Sequence, residues 1–312
     1  MSKKAIVVVG PTASGKTSLG IHICKEFSGE VISCDSMQIY KQMSISTAKP
    51  TIEEMDGIPH HLIDFLDVTE SYSVSDYCAD ARVAFEDVLS RDKLPVFVGG
   101  TGLYIDSFIS NATFLNGATS DEVRHQLEIE LDEKGPEEMH RILSQVDPQA
   151  ASNIHPNNTK RVLRALEVYR TTGMTITQQS EMSHSEASDI EPLFIGITYN
   201  NRELLYDRIN RRVDLMVENG LIDEAKALYS GEYSKTAVAS IGCKELKPYL
   251  DGERTLEECV ERLKMNTRRY AKRQLTWFRR NESIHWFYPD LCTDNELYNQ
   301  VNTLIKDFLA GE

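Results

Sequence analysis

The stretch that decides the fold is Ala5-Ile6-Val7-Val8-Val9, followed by Gly10-Pro11-Thr12-Ala13-Ser14-Gly15-Lys16-Thr17. Five apolar residues bounded by Gly10 and Pro11 read as a strand buried on both faces, as parallel sheets require. The eight residues after it match GxxxxGK[ST] in full. Residues 16–27 then carry Leu19, Ile23 and Phe27 at helical spacing. Strand, glycine loop and helix in that order make a phosphate-binding loop. The glycines let the backbone curl until successive N–H groups point at one phosphate, and the helix start adds its positive dipole end. Lys16 supplies a mobile point charge, and the Thr17 hydroxyl can ligate Mg2+. The motif leaves open which diphosphate compound is held.

Working outward, residues 30–34 read as a second strand ending at Asp35, and residues 94–100 contain a third, Pro95 to Val98, closed by Gly99 and Gly100. Between them, residues 73–89 predict an amphipathic helix capped by Ser73 or Ser75, with Tyr77, Ala81, Ala84, Phe85 and Val88 inward. This alternation gives an α/β fold: a P-loop NTPase-like parallel sheet flanked by helices. From residue 112 the pattern turns helical and acidic, and Ser183 to Glu191 read as a polar loop before a strand at 193–198. The expected organisation is a core of residues 1–111 and 193–312 with a helical insertion domain at 112–192. Helices at 201–219, 221–230, 240–250 and 255–280 and a strand at 284–287 make a mainly helical C-terminal region.

The chain has 312 residues, 41% apolar and 26% charged, which excludes disordered and fibrous classes. Its formal charge of −14 argues against a protein that coats nucleic acid through bulk charge. No apolar run approaches the roughly 18 residues of a membrane span, and the start does not resemble a signal peptide, so a cytoplasmic location without membrane contact is expected. The six cysteines are scattered and read as free thiols.

In an open α/β sheet, ligands sit outside the carboxyl ends of the strands. Asp35 and Ser36 stand there, Asp35 as a metal ligand or general base, or simply as a turn cap. Gly99 to Tyr104 end another strand, allowing close backbone approach or marking only a tight turn, with Thr101 offering a hydroxyl. His60 and His61 point to opposite faces of an extended segment, so they read as packed residues and not as metal ligands. Between Arg262 and Arg280 lie eight basic residues and no acid, interleaved with Tyr270, Trp277 and Phe278. Such a segment grips phosphates and stacks on bases, or is a solvated helix face. Lys160, Arg161 and Arg164 form a second basic cluster, and Arg208, Arg211 and Arg212 a third.

Together these residues resemble the tRNA dimethylallyltransferases (tRNA isopentenyltransferases). The matching strings are GPTASGKT (10–17), DSMQIYK (35–41), STAKP (46–50), IPHHLID (58–64), GGTGLY (99–104), HPNNTKRVLRALEV (155–168), RINRRVDLM (208–216), SIGCKE (240–245) and RRYAKRQLTWFRR (268–280). They span nearly the whole chain. Ser46 departs from the pattern, where Gly is expected before TAKP. The zinc finger of some eukaryotic members is absent, which favours a bacterial type.

The resemblance implies transfer of a dimethylallyl group from dimethylallyl diphosphate to the exocyclic N6 amine of the adenine beside the anticodon in tRNA, releasing diphosphate. It implies that Gly10, Pro11, Thr12, Ala13, Ser14, Gly15, Lys16 and Thr17 bind the prenyl diphosphate and not ATP, with Mg2+ on Thr17 and a second positive charge from Arg212 or Arg208. Asp35 would take the proton of the attacking amine and Thr101 would orient it. Ser36, Met37 and Gln38 would read the adenine, which must leave its stack. Contacts to tRNA are expected from Lys160, Arg161, Arg164, Ser240, Lys244, Arg269, Lys272, Arg273 and Gln274, with the insertion closing on the anticodon arm of a tRNA bound by a monomer. The rivals are an enzyme prenylating free AMP, ADP or ATP, a small-molecule kinase, and a non-catalytic RNA-binding P-loop protein.

Overall fold

The apolar run near the N-terminus forms β1 (Lys3–Val9), in which Ala5 to Val9 are wholly buried. The computed structural model describes residues 2–112, 120–183, 188–238 and 240–311. Two compact units emerge, Met1–Ile109 with Asp189–Glu312, and Ser110–Ser188. The first unit continues with α1 (Lys16–Glu26), β2 (Gly29–Cys34), α2 (Ile52–Met55), β3 (His60–His61), α3 (Val74–Ser90), β4 (Leu94–Gly99) and α4 (Gly102–Ile109). The second contains α5 (Asp121–Val146), α6 (Pro148–Asn153), α7 (Thr159–Thr172) and α8 (Ile176–Ser183). The chain then supplies the first unit with β5 (Ile190–Ile197), α9 (Arg202–Glu218), α10 (Leu221–Ser230), α11 (Lys235–Val238), α12 (Cys243–Leu250), α13 (Leu256–Phe278), β6 (His285–Phe287) and α14 (Asp294–Ala310).

The sheet runs β3-β2-β4-β1-β5-β6, with every neighbouring pair parallel. Successive residues of β1 face opposite sides. Val7 and Val9 therefore join Phe97, Tyr77, Phe85 and Phe108 on one face, while Ile6 and Val8 join Leu19, Ile23, Ile195 and Val301 on the other. Burial of each such side chain contributes about 1.5–3 kcal/mol. Helix α3 begins at a capping box in which Ser73 and Asp76 exchange side chain-to-backbone bonds, and it buries the five residues its spacing predicts. Capping boxes of the same kind start α13 at Thr255 and Glu258 and α14 at Thr293 and Glu296.

Some boundaries differ from the sequence expectation. Strand β5 begins at Ile190, in register with Lys3, three residues before the expected start. Pro192 obscures it in the sequence, but it precedes the stretch of β5 that pairs with β6, Ile195 to Ile197. His60 and His61 form an edge strand beside Val31 and Ile32; His60 Nδ1 bonds the Ile58 carbonyl and His61 Nε2 bonds Glu30 Oε2, 2.8 Å in each case. Among the described residues no helix is long and apolar enough to cross a membrane.

In the second unit, α5 is two helical pieces, broken where Gly135 takes φ +79 before Pro136. Its core joins Leu127, Met139 and Leu143 to Val162, Leu163 and Leu166. Residues 113–119, and 184–187 of the expected polar loop, lie outside the described residues.

Candidate active site

At the carboxyl ends of β1 and β2 lies a cavity of about 370 Å3. Its polar wall includes Thr12, Lys16, Thr17, Asp35, Gln38 and Arg212. The apolar wall includes Val31, Met37, Ile63, Val98, Met216 and Leu263. A lining with both polar and apolar side chains matches a ligand that carries both characters.

The phosphate loop is shaped by local backbone demands. Gly10 takes φ +152, and a Cβ there would stand 2.2 Å from the Ile197 carbonyl oxygen. Gly15 precedes α1 at φ +101. The loop is then fixed from outside. Gln274 of α13 accepts the Thr12 N–H at 2.8 Å and donates to the Gly100 carbonyl at 3.0 Å. Thr12 gives its N–H to Gln274 while lining the cavity, so the amides after it are the ones free to face a diphosphate. Gln274 is buried, bound to both glycine loops and part of the cavity lining, so it is no part of the outer basic surface of α13. The sequence signal was a polar residue in the apolar stripe of α13, between the buried Ala271 and Phe278.

Lys16 donates to the Pro11 carbonyl at 2.7 Å. Burial pushes its ammonium down to about 7, the Arg212 guanidinium pushes the same way, and Asp35 opposes them. Burial also lowers Arg212, again against Asp35. Arg212 Nη2 donates to the Thr47 carbonyl at 3.3 Å. Two desolvated cations and one carboxylate leave the cavity wall short of negative charge, and a polyanion complements it. Arg208 instead donates Nε to the Ala13 carbonyl at 3.0 Å and stacks over Tyr199, so it braces the loop from the exposed side. It does not line the cavity.

Asp35 uses Oδ1 to accept the N–H groups of Met37 (2.9 Å) and Gln38 (3.3 Å). It caps a turn and lines the cavity at once. Gln38 Nε2 donates to the carbonyls of Thr47 and Ala48, 3.2 Å each. Thr101 does not line the cavity; its hydroxyl oxygen accepts the Ser36 N–H at 3.1 Å. In the ligand-free structure Thr101 thus supports the turn that carries Ser36. Tyr270, half-buried in the wall, has its phenol pushed up by burial and by Asp35. Phe278 is core, and the Trp277 indole donates to Asp106 at 2.8 Å while packing where a Gly102 Cβ would be, so neither is the exposed stacking platform their spacing suggests.

The hard oxygen donors Thr17 and Asp35 fit an ion that takes one or two protein ligands beside phosphate oxygens and water. No group of three or more His, Cys, Asp or Glu side chains forms a metal cage among the described residues.

The basic residues divide. Arg269, Lys272 and Arg273 are exposed on α13, and Arg273 also reaches the cavity rim beside Lys244. Lys264 of the same segment instead pairs with Asp214 at 2.7 Å. Lys160 and Arg161 are exposed on α7, while Arg164 pairs with the buried Glu167 at 3.1 Å. Ser240 is buried in the cavity wall, so it faces the cavity and not the outer basic surface. Ser46 is buried there too, and a Cβ on Gly242 would meet its Cβ at 3.2 Å, so the departure from the expected Gly sits in the site itself.

A family model described as IPP transferase matches residues 38–281. The chain is 45% identical to the tRNA dimethylallyltransferase of Caldanaerobacter subterraneus subsp. tengcongensis, covering all of this chain and 99% of that one. Identity to the tRNA dimethylallyltransferase of Halalkalibacterium halodurans is 47%, covering all of this chain and 98% of that one. Among solved structures, the full-length tRNA isopentenylpyrophosphate transferase from Bacillus halodurans aligns with TM-score 0.72 and 46% identity, over all of this chain and 96% of that one. A eukaryotic dimethylallyltransferase acting on tRNA aligns with TM-score 0.84 and 33% identity, over all of this chain and 80% of that one.

Proposed function

The chain belongs to the IPP transferase family, and from that premise we propose that it transfers a dimethylallyl group from dimethylallyl diphosphate to the N6 amine of the adenine 3′ to the anticodon of tRNA. The observation that carries the reading is one cavity in which Lys16, Arg212 and Asp35 meet an apolar wall. A diphosphate satisfies the two cations, and a branched five-carbon chain suits the apolar side.

In the reaction the bond between C1 of the prenyl group and the diphosphate oxygen breaks, and a bond from C1 to N6 forms. The leaving diphosphate keeps the electron pair. Loop amides after Thr12, with Lys16 and Arg212, stabilise the charge that develops on it. The adenine amine is a poor nucleophile, so Asp35 accepts its proton as attack proceeds. Thr17 would hold Mg2+, which would neutralise diphosphate charge when bound. Gln38, fixed by two carbonyls, offers its remaining amide oxygen to the adenine edge. The exposed cations of α13 give an otherwise acidic protein a place to hold an RNA backbone, and the insertion carries Lys160 and Arg161 toward the same use. An enzyme acting on free AMP has no need of either.

The test is a filter assay with radiolabelled dimethylallyl diphosphate, Mg2+ and unmodified tRNA carrying adenine after the anticodon, with AMP and ATP as competing acceptors. Label on tRNA alone is expected. Label on the free nucleotide would overturn the acceptor assignment, and transfer to neither would overturn the reaction.

A further inference from the structure

One carboxylate outside the cavity holds a wall of it in place. Glu224 lies in the first turn of α10 and accepts three consecutive backbone N–H groups: Ser44 (2.9 Å) and Ile45 (2.7 Å) on Oε2, and Ser46 (2.8 Å) on Oε1. These three donors point one way, and a carboxylate is their natural complement. The segment they belong to is residues 44–48. Within it Ala48 takes φ +45, a left-handed conformation that a non-glycine residue keeps only when its surroundings impose it. The same segment presents the Thr47 carbonyl, which accepts from Arg212 Nη2 on one side and Gln38 Nε2 on the other.

Arg212 and Glu224 sit on the two helices of one corner, α9 and α10. Arg212 meets the loop from the cavity, and Glu224 meets its amides from behind. The Arg212 guanidinium is thus oriented by a carbonyl whose own position depends on Glu224.

We propose that Glu224 is a positioning residue for the diphosphate site, acting through residues 44–47 on Arg212. The proposal rests on the reading of that cavity as a diphosphate site. Glu224→Gln keeps the shape but turns an NH2 group toward at least one of the three loop N–H donors, whichever way the amide lies.

The experiment is a double-mutant cycle read on the dissociation constant of inorganic diphosphate with Mg2+, by calorimetry, on the full chain. Alone, E224Q should weaken binding about tenfold, as expected for losing charge-assisted bonds that orient a ligand group. Added to R212A it should weaken binding no more than about twofold, because the group it positions is gone. The thermal midpoint of E224Q should stay within about 3 °C of the wild type. In hydrogen exchange, the Ser44 to Ser46 amides should open faster in E224Q. Equal factors in the two backgrounds, or wild-type affinity in E224Q, would overturn the proposal. A wild-type chain that binds diphosphate but transfers no prenyl group would sink the proposed reaction and leave this cycle to decide Glu224 by itself.

Discussion

Lys16 offers the sharpest test of the site's electrostatics. In the free chain its ammonium titrates near 7, because burial and Arg212 both disfavour the charge. A diphosphate in the cavity reverses the balance and keeps Lys16 protonated. A group titrating near 7 is about nine-tenths neutral at pH 8 and about one-tenth neutral at pH 6. Binding at pH 8 should therefore take up about 0.9 proton at Lys16, against about 0.1 at pH 6. Affinity follows the same sign, falling about tenfold per pH unit above 7. The control is Lys16→Arg, which stays charged at every accessible pH and removes this uptake while sharing the proton exchange of the diphosphate itself. Calorimetry in buffers of different ionisation enthalpy counts the protons. Equal uptake by wild type and K16R at pH 8 would refute the reasoning. The ligand-free chain supplies a second sign: unfolded Lys16 keeps its proton to about 10.5, so stability should rise with pH between about 7 and 10.5.

Three further outcomes follow from the geometry. Asp35→Asn should lower turnover about 10²–10⁴-fold with tRNA affinity intact, checked by single-turnover transfer beside a gel-shift titration; a fully active variant removes the base assignment. Replacing Lys272 and Arg273 by Ala should weaken tRNA binding and reduce the slope of log K against log salt by about 0.7 for each phosphate that the pair neutralises; an unchanged slope takes α13 off the RNA surface. Gln274→Leu strands the Thr12 N–H and the Gly100 carbonyl, and should cost about 1–3 kcal/mol in urea denaturation together with weaker diphosphate binding; unchanged binding would mean that the bridge does not shape the loop.

The sequence carried the fold where local pattern and tertiary burial agree. The run Ala5 to Val9, the loop after it and the spaced face of α3 each specify their element alone, and the structure has all three. The two-residue β3 left no such trace, because His60 and His61 become a strand only through pairing with Val31 and Ile32. In the site, Lys16 and Asp35 were legible because motif spacing and a strand end identify them, whereas Arg212 was one of three neighbouring arginines that the sequence did not separate. The bracing residues were harder. Glu224 reaches the 44–46 amides across 178 to 180 positions, and no local rule links them. Gln274 and Phe278 sit among arginines and lysines, so their segment reads as a charged surface, whereas helical periodicity turns both inward.

The hydrogen bonds of Gln274 join residues 262 and 174 positions apart. The phosphate loop leaves the ribosome long before α13, the helix that completes its shape. A nascent chain that stops before residue 274 has the motif without the brace. β5 and β6 are missing from an N-terminal fragment as well, so β1 waits with an open edge until the chain returns from the insertion. Such long-range closure slows folding and leaves apolar strands exposed during synthesis. It also makes donor binding a late-maturing property: truncated products carry the signature of a phosphate site but lack the helix that finishes it.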